Sequence, residues 1–245
     1  MKKLLLITAL TSTLFAGIAH AQDFRIDTPV SLNVDVVSDY RFRGISQSDL
    51  LPAVQGGAEI ALDDTGLYAG TWLSTIKWIT DIGGNGNVEW DVYAGMKGQV
   101  VDGISYDVGV LTYVYPANNL PTDANTTEAY GQLGYGPAYV KYSYSLTNLF
   151  AFSDSKGSGY LDVGANIKLP QRYSINLHAG HQSVANFSAA SYSDWKVGVT
   201  KDFGVVTGSV AVIGTNTSEY DNVGFFGNVQ NLGQTAVVLS ISKKI

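Results

Sequence analysis

The chain has 245 residues and a formal net charge of −6, and only 15% of its residues are charged, against roughly 25% in ordinary soluble domains. It contains no Cys, which excludes disulfides, thiolate nucleophiles and Cys-ligated zinc or iron–sulfur centres. The acidic balance also excludes a general nucleic-acid binder, which needs a basic surface.

The first predicted element is an export signal. Lys2 and Lys3 precede an apolar run from Leu4 to Ala19, and Ala19-His20-Ala21 is a small-x-small cleavage site. This pattern predicts a signal peptide over 1–21, cut after Ala21, and a mature chain of 22–245 that works outside the cytoplasm. No later stretch carries the 18 or so apolar residues of a spanning helix.

The mature chain has a period of two. Val30, Leu32, Val34 and Val36 interleave with Ser31, Asn33 and Asp35; Val88, Trp90, Val92, Ala94 and Met96 with Glu89, Asp91, Tyr93, Gly95 and Lys97; Leu161, Val163, Ala165, Ile167 and Leu169 with Tyr160, Asp162, Gly164, Asn166 and Lys168. One face is apolar and the other polar, as in a strand between two solvents. Twelve such segments follow one another, at about 30–43, 52–62, 66–76, 87–99, 104–115, 127–135, 138–147, 159–169, 173–182, 194–203, 205–215 and 235–245. A ten-residue strand tilted near 45° spans about 24 Å, close to the roughly 25 Å apolar band of an outer-membrane barrel.

The connections alternate in length. Short turns, Asp63 to Gly66, Asp102-Gly103, Gly136-Pro137, Pro170 to Arg172 and Asp202 to Gly204, separate longer loops at 44–51, 77–86, 116–126, 148–158, 183–193 and 216–234. The pattern predicts an all-β protein, a closed antiparallel transmembrane barrel of twelve strands with short periplasmic turns and longer external loops. An even strand number puts both ends of the mature chain in the periplasm. Aromatic pairs near strand ends, Tyr40 and Phe42, Trp72 and Trp78, Tyr113 and Tyr115, Tyr142 and Tyr144, Phe150 and Phe152, are expected to form girdles at headgroup height.

The run Ser38-Asp39-Tyr40-Arg41-Phe42-Arg43-Gly44-Ile45-Ser46 resembles the N-terminal signature of the TorF-like family of outer-membrane porins. So do WDVYAG at 90–95, VKYSYSLTN at 140–148, GSGYLDVGANIKLP at 157–170 and DWKVGVTKDFG at 194–204. The resemblance implies an outer-membrane barrel with a pore, and brings no catalytic residue or solute with it. The last strand ends on Ile245, where such barrels commonly carry an aromatic residue read by the insertion machinery.

With the polar register facing the lumen, the candidate pore-lining acids are Asp35, Asp39, Glu59, Glu89, Asp91, Asp107, Glu128 and Asp162, and the bases are Arg41, Arg43, Lys97, Lys141, Lys168 and Lys196. Eight acids against six bases predict a weak preference for cations or neutral solutes. Asp39, Arg41 and Arg43 share the face of Asp35 in an unbroken strand, which puts Tyr40 and Phe42 on the lipid side. The arginine pair either screens anionic solutes at the external rim or anchors a loop through carboxylates. Twelve strands fall between filled eight-stranded barrels and open sixteen-stranded channels, so an inward loop such as 216–234 can close the pore.

The expected function is passive diffusion of small hydrophilic solutes across the outer membrane. Its expected surroundings are outer-membrane lipid, lipopolysaccharide and the barrel-assembly machinery. The alternatives are a non-conducting barrel serving adhesion or envelope structure, and an outer-membrane lipid-modifying enzyme. For the enzyme, His178 and His181 fall on opposite faces of one strand, and Ser183 has no G-x-S-x-G elbow. The loop from Asp81 to Asn87 is calcium-like, but Val92 stands where the bidentate Glu belongs. No cofactor or metal is expected.

Overall fold

The computed structural model describes residues 30–62, 65–223 and 229–245. The expected signal peptide, and Asp63 and Asp64 of the first turn, lie outside the described residues. Twelve long strands form one closed sheet: β1 Val30–Val37, β2 Ala53–Ala61, β3 Leu67–Thr75, β4 Val88–Val101, β5 Ile104–Val114, β6 Thr126–Tyr135, β7 Ala138–Ser145, β8 Gly159–Leu169, β9 Tyr173–Ser183, β10 Tyr192–Asp202, β11 Thr207–Thr215 and β12 Ala236–Lys244. Each pairs antiparallel with its chain neighbours, and β1 closes on β12 from Asn33↔Lys244 to Val37↔Ser240. Closure leaves no edge, so every strand finds its backbone partners inside the sheet.

The alternation sets the two faces. Val30, Leu32, Val34 and Val36 of β1 are exposed on the outside, while Asn33 is buried and Asp35 half-buried inside. The same register runs around the barrel and leaves an outer belt of Val, Leu and Ile. Short turns close one end, with Gly103 and Gly136 in the left-handed region at φ 83° and 56°. The longer loops gather at the other end, where Trp78–Asp81 makes a single helical turn.

Two expectations need correction. The first strand ends at Val37, not at residue 43. Residues 38–51 instead turn inward, with Arg41–Phe42 paired to Ile45–Ser46 as a separate small hairpin. Asp39, Arg41 and Arg43 therefore do not continue the face of Asp35, and Tyr40 and Phe42 do not meet lipid. The turn residues Arg43 and Gly44 have φ 47° and 80°, the two positive values of a type I′ hairpin turn. An alternation of polar and aromatic residues reads the same in a continuing strand and in a hairpin folded back inside.

The aromatic girdles are also differently composed. Tyr40, Trp72, Tyr113 and Tyr115 are buried within the barrel, and Phe42, Trp78 and Phe150 pack on them. Phe152 packs on an inner cluster of Leu149, Val184 and Ala190. Of the expected set, only Tyr142 and Tyr144 face out. They are joined outside by Trp90 and Trp195 toward the loop end and by Tyr135, Tyr173 and Phe203 at the turn end.

The inner tyrosines share one construction. Each ring lies over a glycine of a neighbouring strand: Tyr68 on Gly95, Tyr93 on Gly70, Tyr130 on Gly109, Tyr139 on Gly164 and Tyr160 on Gly180. The missing side chain lets the ring lie flat, and four of the five carry their hydroxyl to a lumen carboxylate, while Tyr130 meets the Tyr68 hydroxyl. Tyr68 donates to Asp107 at 2.5 Å, Tyr93 to Glu59 at 3.3 Å, Tyr139 to Asp162 at 3.1 Å and Tyr160 to Asp194 at 2.9 Å.

Candidate functional site

The signature run folds into a hairpin that crosses the lumen toward the loop end. Its base is tied down by side chains within the hairpin and by carbonyls of the last loop. Asp39 accepts from Arg41 Nε at 2.5 Å and from Ser46 Oγ at 2.6 Å. Arg41 Nη1 donates to the carbonyls of Gly44, Leu232 and Gln234 at 2.9–3.0 Å. The Ser46 N–H donates to Leu232 O and the Lys77 N–H to Gln47 O, so the last loop covers the hairpin from above while the second supports its side. Ile45 packs with Tyr192 and Leu232. The described part of the 216–234 loop therefore caps the inward segment; 38–51 is the segment that enters the barrel.

The tip reaches the far wall. Arg43 Nη2 donates to Glu128 Oε2 on β6 at 2.6 Å, and Nη1 to Gln182 Oε1 on β9 at 2.6 Å. Its guanidinium lies 4.7 Å from the Phe42 ring centre and 4.3 Å from that of Tyr160 on β8. Burial alone would loosen its proton, but Glu128, with Tyr113 and Tyr160, raises the pKa further above its ordinary value, so the charge is permanent. Gly44 has no room for a side chain, since a Cβ there would stand 2.6 Å from Thr215 Cγ2 and 2.7 Å from Asp194 Cβ. Phe42 meets Tyr113 and Phe150 edge-on at 5.4 and 5.5 Å. Tyr40 meets Trp72 at 5.4 Å and donates to Glu89 at 3.0 Å. One short segment thus touches β3, β4, β5, β6, β8, β9, β10 and β11.

The remaining lumen charges fall into groups. Glu59 pairs with Lys97 at 2.9 Å, and Asp35 accepts from Asn33 at 2.5 Å. Lys141 is buried with its ammonium 4.1 Å from the Tyr130 ring centre. Asp91 is sealed opposite Trp72 and Tyr113, with neither oxygen hydrogen-bonded. Lys168 is exposed near the turn end of β8.

Midway along the wall His178 lies between two acids. Nδ1 meets Asp162 Oδ1 at 2.7 Å and Nε2 meets Asp194 Oδ2 at 2.6 Å. Only an imidazole protonated at both nitrogens donates to both. His181 faces outward and bonds Ser193 at 3.0 Å. Neither His178 nor Asp194 is among the candidate lining residues from sequence. Asp194 was legible there, since it precedes the inward Lys196 by two residues. His178→Leu leaves two buried carboxylates without their cation, a loss of about 3–5 kcal/mol for a broken buried pair. Its expected result is a lower melting temperature of the detergent-folded barrel, followed by heat-modifiable gel mobility, with His178→Gln losing less because its amide still donates to one acid.

Among the described residues no three His, Asp or Glu side chains are arranged to share a metal ion. The chain matches, over residues 25–245, a family profile described as a bacterial protein of unknown function, Gcw_chp. No curated protein matches it. The fold is similar to the KdgM porin, with a TM-score of 0.54 at 8% identity over 87% of this chain and 98% of that one. It is similar to the KdgM porin in complex with disordered oligogalacturonate, with a TM-score of 0.52 at 8% identity over 87% and 97%. It is also similar to the NanC porin, with a TM-score of 0.54 at 11% identity over 86% and 97%.

Proposed function

Since the chain belongs to the Gcw_chp family of bacterial proteins of unknown function, we propose from its geometry that it is an outer-membrane channel for small hydrophilic solutes, narrowed by the hairpin 38–51. The observation that carries this reading is the Arg43 clamp. A barrel that only anchors or adheres has no use for a buried arginine reaching from its first loop to two strands of the far wall, whereas a channel needs a fixed constriction. The belt of outward apolar residues supports a bilayer location, and the export-like N-terminus and the TorF-like signature support the outer membrane. There it would be inserted by the barrel-assembly machinery and surrounded by lipopolysaccharide. The fold likeness to KdgM, one structure of which is described with oligogalacturonate, supports a solute-conducting role.

The second reading is a barrel without conductance, and the sealed aromatic wall of β3–β5 favours it. Refolded mature protein in planar bilayers separates the two. Stepwise current is the expected result, and stable insertion with no current under any voltage leaves the second reading.

A further inference from the structure

The lumen has two unlike walls. On β3 to β5 the inward positions are filled: Tyr68, Trp72, Tyr93, Leu111 and Tyr113 are buried and packed together. On the arc from β8 through β12 to β2 Ala211, Ile213 and Val238 form a small buried apolar cluster, but the other inward positions are mostly small or hydrogen-bonding, and Asn176, Lys196, Ser209, Ser240, Asp35 and Gln55 keep part of their surface open. A solute that passes the hairpin therefore runs along this second wall.

Its charges are not those of a residue count. The lumen carboxylates are mostly buried, and most are hydrogen-bonded. Glu59 is held by Lys97 and Tyr93, and Glu89 by Tyr40. Asp107 is held by Tyr68, and Glu128 by Arg43 and Tyr113. Asp162 and Asp194 are held by His178 and two tyrosines. Asp202 is buried with Arg172 at 3.8 Å, and Asp91 is sealed altogether. Among the described residues of the open wall only Asp35 keeps an accessible carboxylate without a cation.

The lysines differ. Lys168 on β8, Lys196 on β10 and Lys244 on β12 stand on alternate strands of one arc, from mid-barrel to the turn end. Among the described residues none of the three makes an ion pair or a side-chain hydrogen bond. A paired charge acts at a distance as a dipole, whereas an unpaired one in a low-dielectric tube focuses its field along the axis. The charges open to the path are therefore three ammoniums against one carboxylate, although acids outnumber bases in the lumen as a whole.

We infer that the passage selects small oxyanionic solutes, carboxylates foremost, with Lys196 as the selectivity-determining residue. Lys196 lies deepest of the three, between His178 and Ile213 in the register, so a solute meets it in the enclosed part of the tube. Lys168 and Lys244 extend the same path toward the turn end. This reverses the cation preference that counting residues gives, and it rests on the channel reading above.

The test is the reversal potential of refolded mature protein across a KCl gradient, repeated with gluconate replacing chloride. Wild type should pass chloride over potassium, and millimolar gluconate should partly block the chloride current. Lys196→Glu should turn the ratio toward potassium and abolish the block, with Lys168→Gln and Lys244→Gln shifting it less. Lys196→Met serves if the Glu variant fails to fold, because its stem keeps the place over Gly198 that the lysine occupies. Potassium preference in wild type, or an unchanged ratio in conducting Lys196 variants, overturns the inference while the channel stands. Insertion without any current removes the channel reading and the inference with it.

Discussion

Arg43→Gln should raise single-channel conductance severalfold and make the open level noisier. The guanidinium is the cross-lumen link, 2.6 Å from both Glu128 and Gln182 and almost fully buried. Glutamine keeps polarity but reaches neither partner from the hairpin turn and carries no charge. Breaking one side of a buried pair costs about 3–5 kcal/mol, enough to release the tip from the far wall. The base would hold, because Asp39, Arg41 and Ser46 make their own bonds to the hairpin and to residues 232–234. The constriction then swings rather than unfolds, and that motion is the source of the noise. Glu128→Gln should show the same phenotype, and the double variant should add little to either single one, as for two residues sharing one interaction. Equal conductance in wild type and Arg43→Gln would show that the narrowest point lies elsewhere.

Gly95→Val should abolish the folded barrel or leave only a trace of it. A Cβ at residue 95 would stand 2.5 Å from the Tyr68 hydroxyl and 2.6 Å from the backbone oxygen of Val108. The hydroxyl can swing aside, but the carbonyl belongs to the neighbouring strand and cannot move without breaking the ladder around Gly95↔Gly109. Moving Tyr68 also strips its bond from buried Asp107, and an unsatisfied buried acceptor adds about 1–3 kcal/mol. Tyr68→Phe isolates that second term, so it should fold with a modest loss in melting temperature. The readout is the fraction of heat-modifiable protein after refolding into detergent. A well-folded Gly95→Val barrel would mean that the tyrosine–glycine contacts are incidental.

Much of the candidate site was readable residue by residue but not as an arrangement. Alternation puts Glu89, Asp91, Asp107, Glu128, Lys141 and Asp162 on the polar face of their strands, and all six are buried inside the barrel, because side-chain direction in a strand is a local property. It says nothing of which charge meets which. Glu128 finds its partner 85 residues away on the hairpin, and His178 joins acids on both neighbouring strands. The run 38–46 was the most specific feature of the sequence and the one whose place was misread. Its residues are used by contacts within the hairpin, with the last loop and, at Arg43, across the lumen.

What the sequence determined by itself is the barrel: strand number, which aliphatic side chains face outward, and the alternation of short turns with long loops. A barrel wall separates two environments, and the chain writes their difference into every second residue. What only the tertiary structure decided is the interior. Whether 38–51 continues a strand or folds inward, whether an aromatic ring seeks the headgroups or the lumen, and whether a carboxylate is neutralised or left open all depend on groups brought together by closure. A period of two carries no record of them.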